Sequence, residues 1–322
     1  MKRRVDWFLV GLICVSLLAF VWPEPGAHGG ALHPELTNKL GVALIFLLHG
    51  ATLSLSALAE GLKRVRVHVA IQAATFVFFP LLGLALLKLL PQSLVKPELR
   101  IGLFFLCALP STVSSSVTLT AVARGSVPVA LFNATLSSLL GVALTPLWIG
   151  LALRGSGQTL PLSAVVLDLF CWLVMPFLVG QLLRPWVGGF VGRNKRALSL
   201  LDRGTILLLV YTSFCDSVVE RVWGGQGPLV LIVTFGVCCL LLALMLLASS
   251  YAARLLGVSV EDRIALMFCG SKKTLASGVP MARLMFGAGP SLGVILLPIL
   301  LYHPLQLVVC GWLAGRFARR AG

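Results

Sequence analysis

The sequence predicts an all-α membrane protein: ten transmembrane helices in two inverted five-helix repeats, with helices four and nine broken. Three observations predict it. The 322 residues are 58% hydrophobic and only 11% charged, against about 25% charged in ordinary soluble domains. Apolar stretches close to the ~20 residues needed to cross a bilayer recur along the whole chain. Two of those stretches are interrupted by clustered polar residues, and one of them carries two consecutive lysines, Lys272 and Lys273.

The spans fall near 5–22, 37–58, 69–90, 100–123, 127–153, 162–183, 204–222, 228–251, 264–286 and 292–314. Little chain remains for a soluble domain, so residues 1–322 read as a single transmembrane domain, repeat one covering about 1–157 and repeat two about 158–322. Five is an odd number, so two five-span halves enter the bilayer with opposite orientations. Internal similarity supports the division. Span four holds Cys107 to Ser116 and span nine holds Cys269 to Thr274. Each is followed by a span with a mid-helix proline, Pro146 and Pro304.

Charge sorts the connections. One side receives Lys2, Arg3 and Arg4, then Lys63, Arg64 and Arg66, Arg124, the 184–203 loop, Arg254 with Arg263, and Arg316, Arg319 and Arg320. The other receives 23–35, the 96–100 loop, Arg154, the 224–227 turn and 287–291. Cytoplasmic loops carry the excess of Lys and Arg, which places both termini in the cytoplasm of a plasma (inner) membrane protein. The same rule explains the net charge of +15 without a nucleic-acid partner. The basic start followed by apolar residues to Trp22 is too long for a signal-peptide core and reads as an uncleaved first helix. All eight cysteines fall inside apolar stretches, with no CxxC pair, so neither disulfides nor a zinc site is indicated.

Four groups of polar residues stand inside spans. Pro110 removes a backbone donor and frees carbonyls, next to Ser111, Thr112, Ser114, Ser115 and Ser116. Such hard oxygens suit a small cation or a polar solute, although close helix packing also uses Ser and Thr. In span nine, Gly270, Ser271, Lys272, Lys273 and Thr274 precede Gly278 and Pro280. A charge at the bilayer centre costs ~2.5–3.5 kcal/mol on insertion scales and usually faces protein or water. Successive helical positions diverge by about 100°, so both lysines are easier to seat if the helix breaks at Gly270-Ser271. A tethered cation, an attractor for an anion, and a structural ion pair with Asp168 or Asp216 all remain open. Span five contributes Asn133, Ser137 and Ser138, nearly on one face. Gln72 and Thr75 of span three and Gln181 of span six complete the polar set. His49 and His303 read as packing residues, and Arg283 as a side chain reaching outward. No HExxH, nucleophile elbow, phosphate loop or carboxylate pair is present, so the chain is not read as an enzyme.

At 110–116 and 270–274 the chain resembles the bile acid:sodium symporter superfamily, and is most similar to the branch holding the vertebrate seventh member of that solute-carrier family and its bacterial homologues. The resemblance covers essentially the whole chain. It implies panel and core domains, the panel from spans one, two, six and seven, with ion and substrate sites beside the crossing. The family's Ser-Asn pair on span four looks similar to Ser114-Ser115, which puts a Na⁺ site among Ser114, Ser115, Asn133 and Ser137. Span nine departs from the pattern. Where sodium-binding members have a glutamate, then a glycine followed by Met-Gln-Asn, this chain has Phe268, then Ser271-Lys272-Lys273. A Na⁺ ~4 Å from an ammonium meets ~4 kcal/mol of repulsion at an effective dielectric near 20. Buried lysine can also release a proton.

The expected activity is therefore secondary active transport of a small organic anion by alternating access, with membrane lipid as surroundings, no cofactor, and Na⁺ coupling in doubt. Two alternatives stay open: a non-transporting membrane regulator of ion homeostasis, and a metalloid efflux carrier using Cys107.

Overall fold

A computed structural model describes residues 7–52, 64–91, 95–154, 162–221, 227–287 and 291–320. Lys2, Arg3, Arg4, Lys63 and most of the 224–227 and 287–291 connections lie outside the described residues. Every regular element among the described residues is helical. In chain order these are α1 (Trp7–Val21), α2 (Pro34–Thr52), α3 (Val65–Leu89), α4 (Pro97–Ala108), α5 (Ser114–Val122) and α6 (Val127–Arg154). There follow α7 (Ser163–Arg193), α8 (Lys195–Val219), α9 (Pro228–Leu255), α10 (Val260–Ser271), α11 (Leu275–Phe286) and α12 (Leu292–Ala318). Six of them, α3, α6, α7, α8, α9 and α12, are long and apolar enough to cross a membrane, and α1 and α2 are shorter apolar helices. The remaining two spans expected from the sequence are each split into half-length helices, α4 with α5 and α10 with α11.

The chain forms two compact units, each drawing on both sequence halves. Unit 1 comprises Met1–Leu53, Leu160–Gly225 and Val279–Leu296. Its helices approach through glycines, as close packing in a membrane requires. A Cβ on Gly50 would collide with the Phe177 carbonyl, and one on Gly180 with the Leu47 carbonyl. Gln181 donates to Gly50 O at 2.7 Å, so this polar residue serves the packing of α2 against α7. Tyr211 donates to Trp22 O at 2.6 Å, and the Asp216 carboxylate accepts the His28 N–H at 2.6 Å. Arg283, expected to reach outward, is instead buried, with Nε donating to the Ser213 hydroxyl at 3.2 Å. Buried polar groups facing it on α8 outweigh the pull of the interface on its long side chain.

Unit 2 comprises Ser54–Thr159, Gln226–Gly278 and Leu297–Gly322. Its core includes Val67, Ile71, Val129, Ala130, Ala253, Ala265, Leu266 and Cys269, from α3, α6, α9 and α10. Small side chains let those helices close around α10. At one end, Ser259 caps α10 by accepting the Asp262 N–H at 3.2 Å, and Glu261 and Asp262 lie in the first turn, where the helix dipole favours negative charge. Asp262 pairs with Arg64. Arg320 bonds the carbonyls of Ala123 and Arg124 at 2.7 and 2.8 Å and meets Glu261 at 3.2 Å. Arg64, Arg124 and Arg320, which the charge rule puts on one side, thus lie at one end of this unit.

Candidate functional site

Two helices stop short inside unit 2, and their loose ends satisfy each other. Pro110 supplies no N–H, so α4 ends at Ala108 with the chain extended at Leu109. An ending helix leaves four carbonyls without intrahelical donors. Here the carbonyls around the break have named partners. Ala108 O accepts from Thr145 Oγ1 at 2.9 Å, Pro110 O from the Thr274 N–H at 3.0 Å, and Cys107 O and Leu109 O from the Lys273 ammonium at 2.8 and 2.7 Å. On the second broken helix, Cys269 O accepts from Ser111 Oγ at 2.7 Å and Ser271 O from the Tyr302 hydroxyl at 2.6 Å. The Ser111 N–H in turn donates to Ser137 Oγ at 2.9 Å.

The break in the second helix comes later than the sequence indicates. Helix α10 continues through Gly270 and Ser271, and the extended stretch is Lys272 to Thr274. Ser271 stays helical because its own hydroxyl bonds Met267 O, four residues back, at 2.6 Å. The extended backbone that follows is held by one side chain: Gln306 Oε1 accepts the Lys273 N–H, and Gln306 Nε2 donates to Lys273 O, both at 2.9 Å. That amide does for Lys273 what a neighbouring strand would do. Glycines allow the approach, since a Cβ on Gly278 would lie 2.8 Å from Leu109 Cδ1 and one on Gly141 would lie 2.7 Å from Pro110 Cγ.

The extended segment sends the two lysines to different places. Both are fully buried, and neither pairs with a carboxylate among the described residues. Lys273 Nζ donates to three backbone carbonyls, Thr75 O at 3.0 Å joining Cys107 O and Leu109 O, and lies 4.1 Å from the centre of the Phe79 ring. Thr75 belongs to a π-helical turn, Ala74–Phe78, a local widening often found at functional sites. Among the described residues Lys272 Nζ donates to Ser115 O alone, at 2.8 Å, and lies 5.4 Å from the Phe268 ring centre. Asp168 is exposed on α7, and Asp216 accepts the His28 N–H.

The other expected residues divide. Ser115 and Ser116 both bond Thr112 Oγ1, at 2.6 and 3.1 Å, forming a hydroxyl cluster at the start of α5, whose first residue, Ser114, is exposed. Asn133 and Gln72 meet: Gln72 Nε2 donates to Asn133 O and Oδ1, both at 3.1 Å, and Asn133 Nδ2 contacts His68 Nδ1 at 2.7 Å. Ser138 is not brought to the break, its hydroxyl bonding Ala134 O of its own helix at 3.0 Å. Gly270 contributes close packing, 3.0 Å from Ser249 Oγ at its absent Cβ, and Thr274 Oγ1 accepts the Ser277 N–H at 3.3 Å, capping α11. His49 lies 3.5 Å from Asp202, and His303 Nδ1 lies 3.2 Å from Gln306 Nε2. Gln306, Tyr302 and His68 belong to the site but escape a reading that looks for clusters. Their signal was single polar residues within an apolar span. Cys107 gives the break its carbonyl, while its sulfur packs where Gly83 lacks a side chain.

Interrupted helices whose breaks share carbonyls, hydroxyls and buried ammonium groups, within a set of membrane-length helices, define a multi-pass membrane carrier and not an enzyme. The chain belongs to the SBF-like CPA transporter family, whose model matches residues 6–319, and with it to the bile acid:sodium symporter superfamily. It is 46% identical over 315 residues to the uncharacterized protein PA2026 of Pseudomonas aeruginosa, covering 98% of this chain and 93% of that one. It is 39% identical over 320 residues to "Putative symporter YfeH" of Escherichia coli, covering 99% and 94%. Sodium/bile acid cotransporter 7 of Danio rerio is 32% identical over 325 residues, covering 98% and 96%.

Proposed function

We propose that the protein is a secondary active transporter of a small organic anion, working by alternating access in the plasma (inner) membrane, with a lysine ammonium standing in for a coupling Na⁺. One observation carries this reading. The crossing contains two buried ammonium groups and, among the described residues, no carboxylate facing them. Net positive charge there favours an anionic solute and disfavours a metal cation beside it. The likeness to Sodium/bile acid cotransporter 7 gives bile acids as the first anions to try.

The architecture in this reading is ten membrane helices in two inverted five-helix repeats, with both termini cytoplasmic. Unit 1 serves as the panel and unit 2 as the core, and the core holds both helix breaks. Support comes from the split pairs α4–α5 and α10–α11, which occupy corresponding places in the two halves. Ser111, Thr112, Ser114, Ser115, Asn133, Ser137, Lys272, Lys273 and Gln72 make up the proposed solute and ion region.

The test is uptake into proteoliposomes of labelled taurocholate, benzoate and citrate, after thermal-shift screening for binding, with Na⁺ or N-methyl-D-glucamine as the cation. Expected is accumulation of at least one anion at equal rates in both salts, reduced at least tenfold by Lys272→Gln or Lys273→Gln. Uptake that requires Na⁺ and survives both substitutions overturns the reading. Protein that binds an anion yet shows no counterflow favours a non-transporting regulator.

A further inference from the structure

The geometry points to a monovalent-cation site in unit 2 that the chain fills with its own Lys273 ammonium. The site is a cup of three backbone oxygens, Thr75 O, Cys107 O and Leu109 O, at 3.0, 2.8 and 2.7 Å from Nζ. Two of them belong to the end of α4, where the helix dipole concentrates negative partial charge. The third comes from the π-helical turn of α3. The Phe79 ring, 4.1 Å away, presents a further surface that attracts a cation. An ammonium has three N–H donors, and Lys273 uses each on one carbonyl.

Lys272 provides the contrast. Its equally buried ammonium has, among the described residues, one carbonyl acceptor and a ring 5.4 Å away, so adjacent lysines in one extended segment are held quite differently. The peptide of Lys273 is also clasped on both sides by Gln306, which fixes where its side chain starts. Lys273 is thus a positioning cation that closes the α4 break. This deepens the transporter reading, but its test reads stability instead of uptake, so either can fail while the other stands.

The decisive variant is Lys273→Ala, which empties the cup while leaving its oxygens in place. Its thermal unfolding midpoint is to be measured in chlorides of methylammonium, Na⁺, K⁺ and N-methyl-D-glucamine at equal ionic strength. Wild type is expected to unfold at one temperature in all four. Lys273→Ala is expected to unfold lower in N-methyl-D-glucamine and to recover by at least about 2 °C as methylammonium or a small metal cation is added, since a ligand of the folded state raises its midpoint. Lys273→Met, which fills the cup without donors, is expected to show no recovery. Equal midpoints for Lys273→Ala in all four salts, or equal recovery in Lys273→Met, overturn the inference. Should Lys273→Ala not accumulate, reductive methylation of wild type read by peptide mass spectrometry decides. Lys273 protected until the protein unfolds supports the cup, and Lys273 modified in the folded protein overturns it.

Discussion

Gln306 shows how much a single side chain can hold when the backbone it serves is neither helix nor strand. Its amide satisfies both the N–H and the C=O of Lys273 inside a fully buried segment. Replacing it with Leu keeps the volume and orphans both groups, at about 1–3 kcal/mol each. Gln306→Leu is therefore expected to lower the unfolding midpoint by several degrees in a thermal melt. A midpoint unchanged by Gln306→Leu would mean that water takes over the Lys273 peptide. The partners of Lys273 were hidden in the sequence for one physical cause. Lys273 is held by carbonyls, which every residue possesses, and by an amide 33 positions away. The hydroxyl run and the lysine pair were legible because charge and clustered hydroxyls are rare in apolar spans. The oxygens that answer the lysine were not, because no residue type encodes a backbone acceptor.

Between elements, the crossing depends on how closely two extended segments approach the helices beside them, and glycine sets that approach. A Cβ at position 278 would meet the flexible end of Leu109, at 2.8 Å, whereas one at position 141 would meet the closed ring of Pro110 at 2.7 and 2.9 Å. Leucine can turn away and a proline ring cannot, so Gly141→Ala should cost more than Gly278→Ala. Overpacking of this kind costs about 1–3 kcal/mol. The comparison is of unfolding midpoints in one detergent, and Gly278→Ala proving the more damaging would show that Leu109 is the less free of the two. Pro110 identified the first break correctly from the sequence because a missing N–H acts locally. The second break was placed two residues early, at Gly270-Ser271, because glycine weakens a helix only when nothing else supports it. Here Ser271 bonds back to Met267, Gly270 packs against Ser249 and Ala74, and α10 continues to its last helical residue.

For the whole molecule, the arrangement of charge gives a statement about orientation that no helix gives alone. Arg64, Arg124 and Arg320 come from three distant parts of the sequence, yet they gather with Glu261 and Asp262 at one end of unit 2. Arginines that share one end of a helical unit lie on one side of the membrane, and an excess of Lys and Arg marks the cytoplasmic side. Ala318, at the end of α12, precedes Arg320 by two positions, so the proposed cytoplasmic placement of the arginine-rich end extends to the end of α12. Fusing green fluorescent protein to the C-terminus should give fluorescent cells, and fusing alkaline phosphatase there should give an inactive reporter, because the first folds in the cytoplasm and the second only outside it. The reverse pair of results would invert the molecule and place the arginine-rich end outside. An Arg320→Glu variant refines the test. It sets a carboxylate against Glu261 and against the Ala123 and Arg124 carbonyls. If those contacts only brace the end of the unit, the unfolding midpoint falls while the reporters keep their sides. If the positive charge itself holds the orientation, the reporters become mixed at an unchanged midpoint.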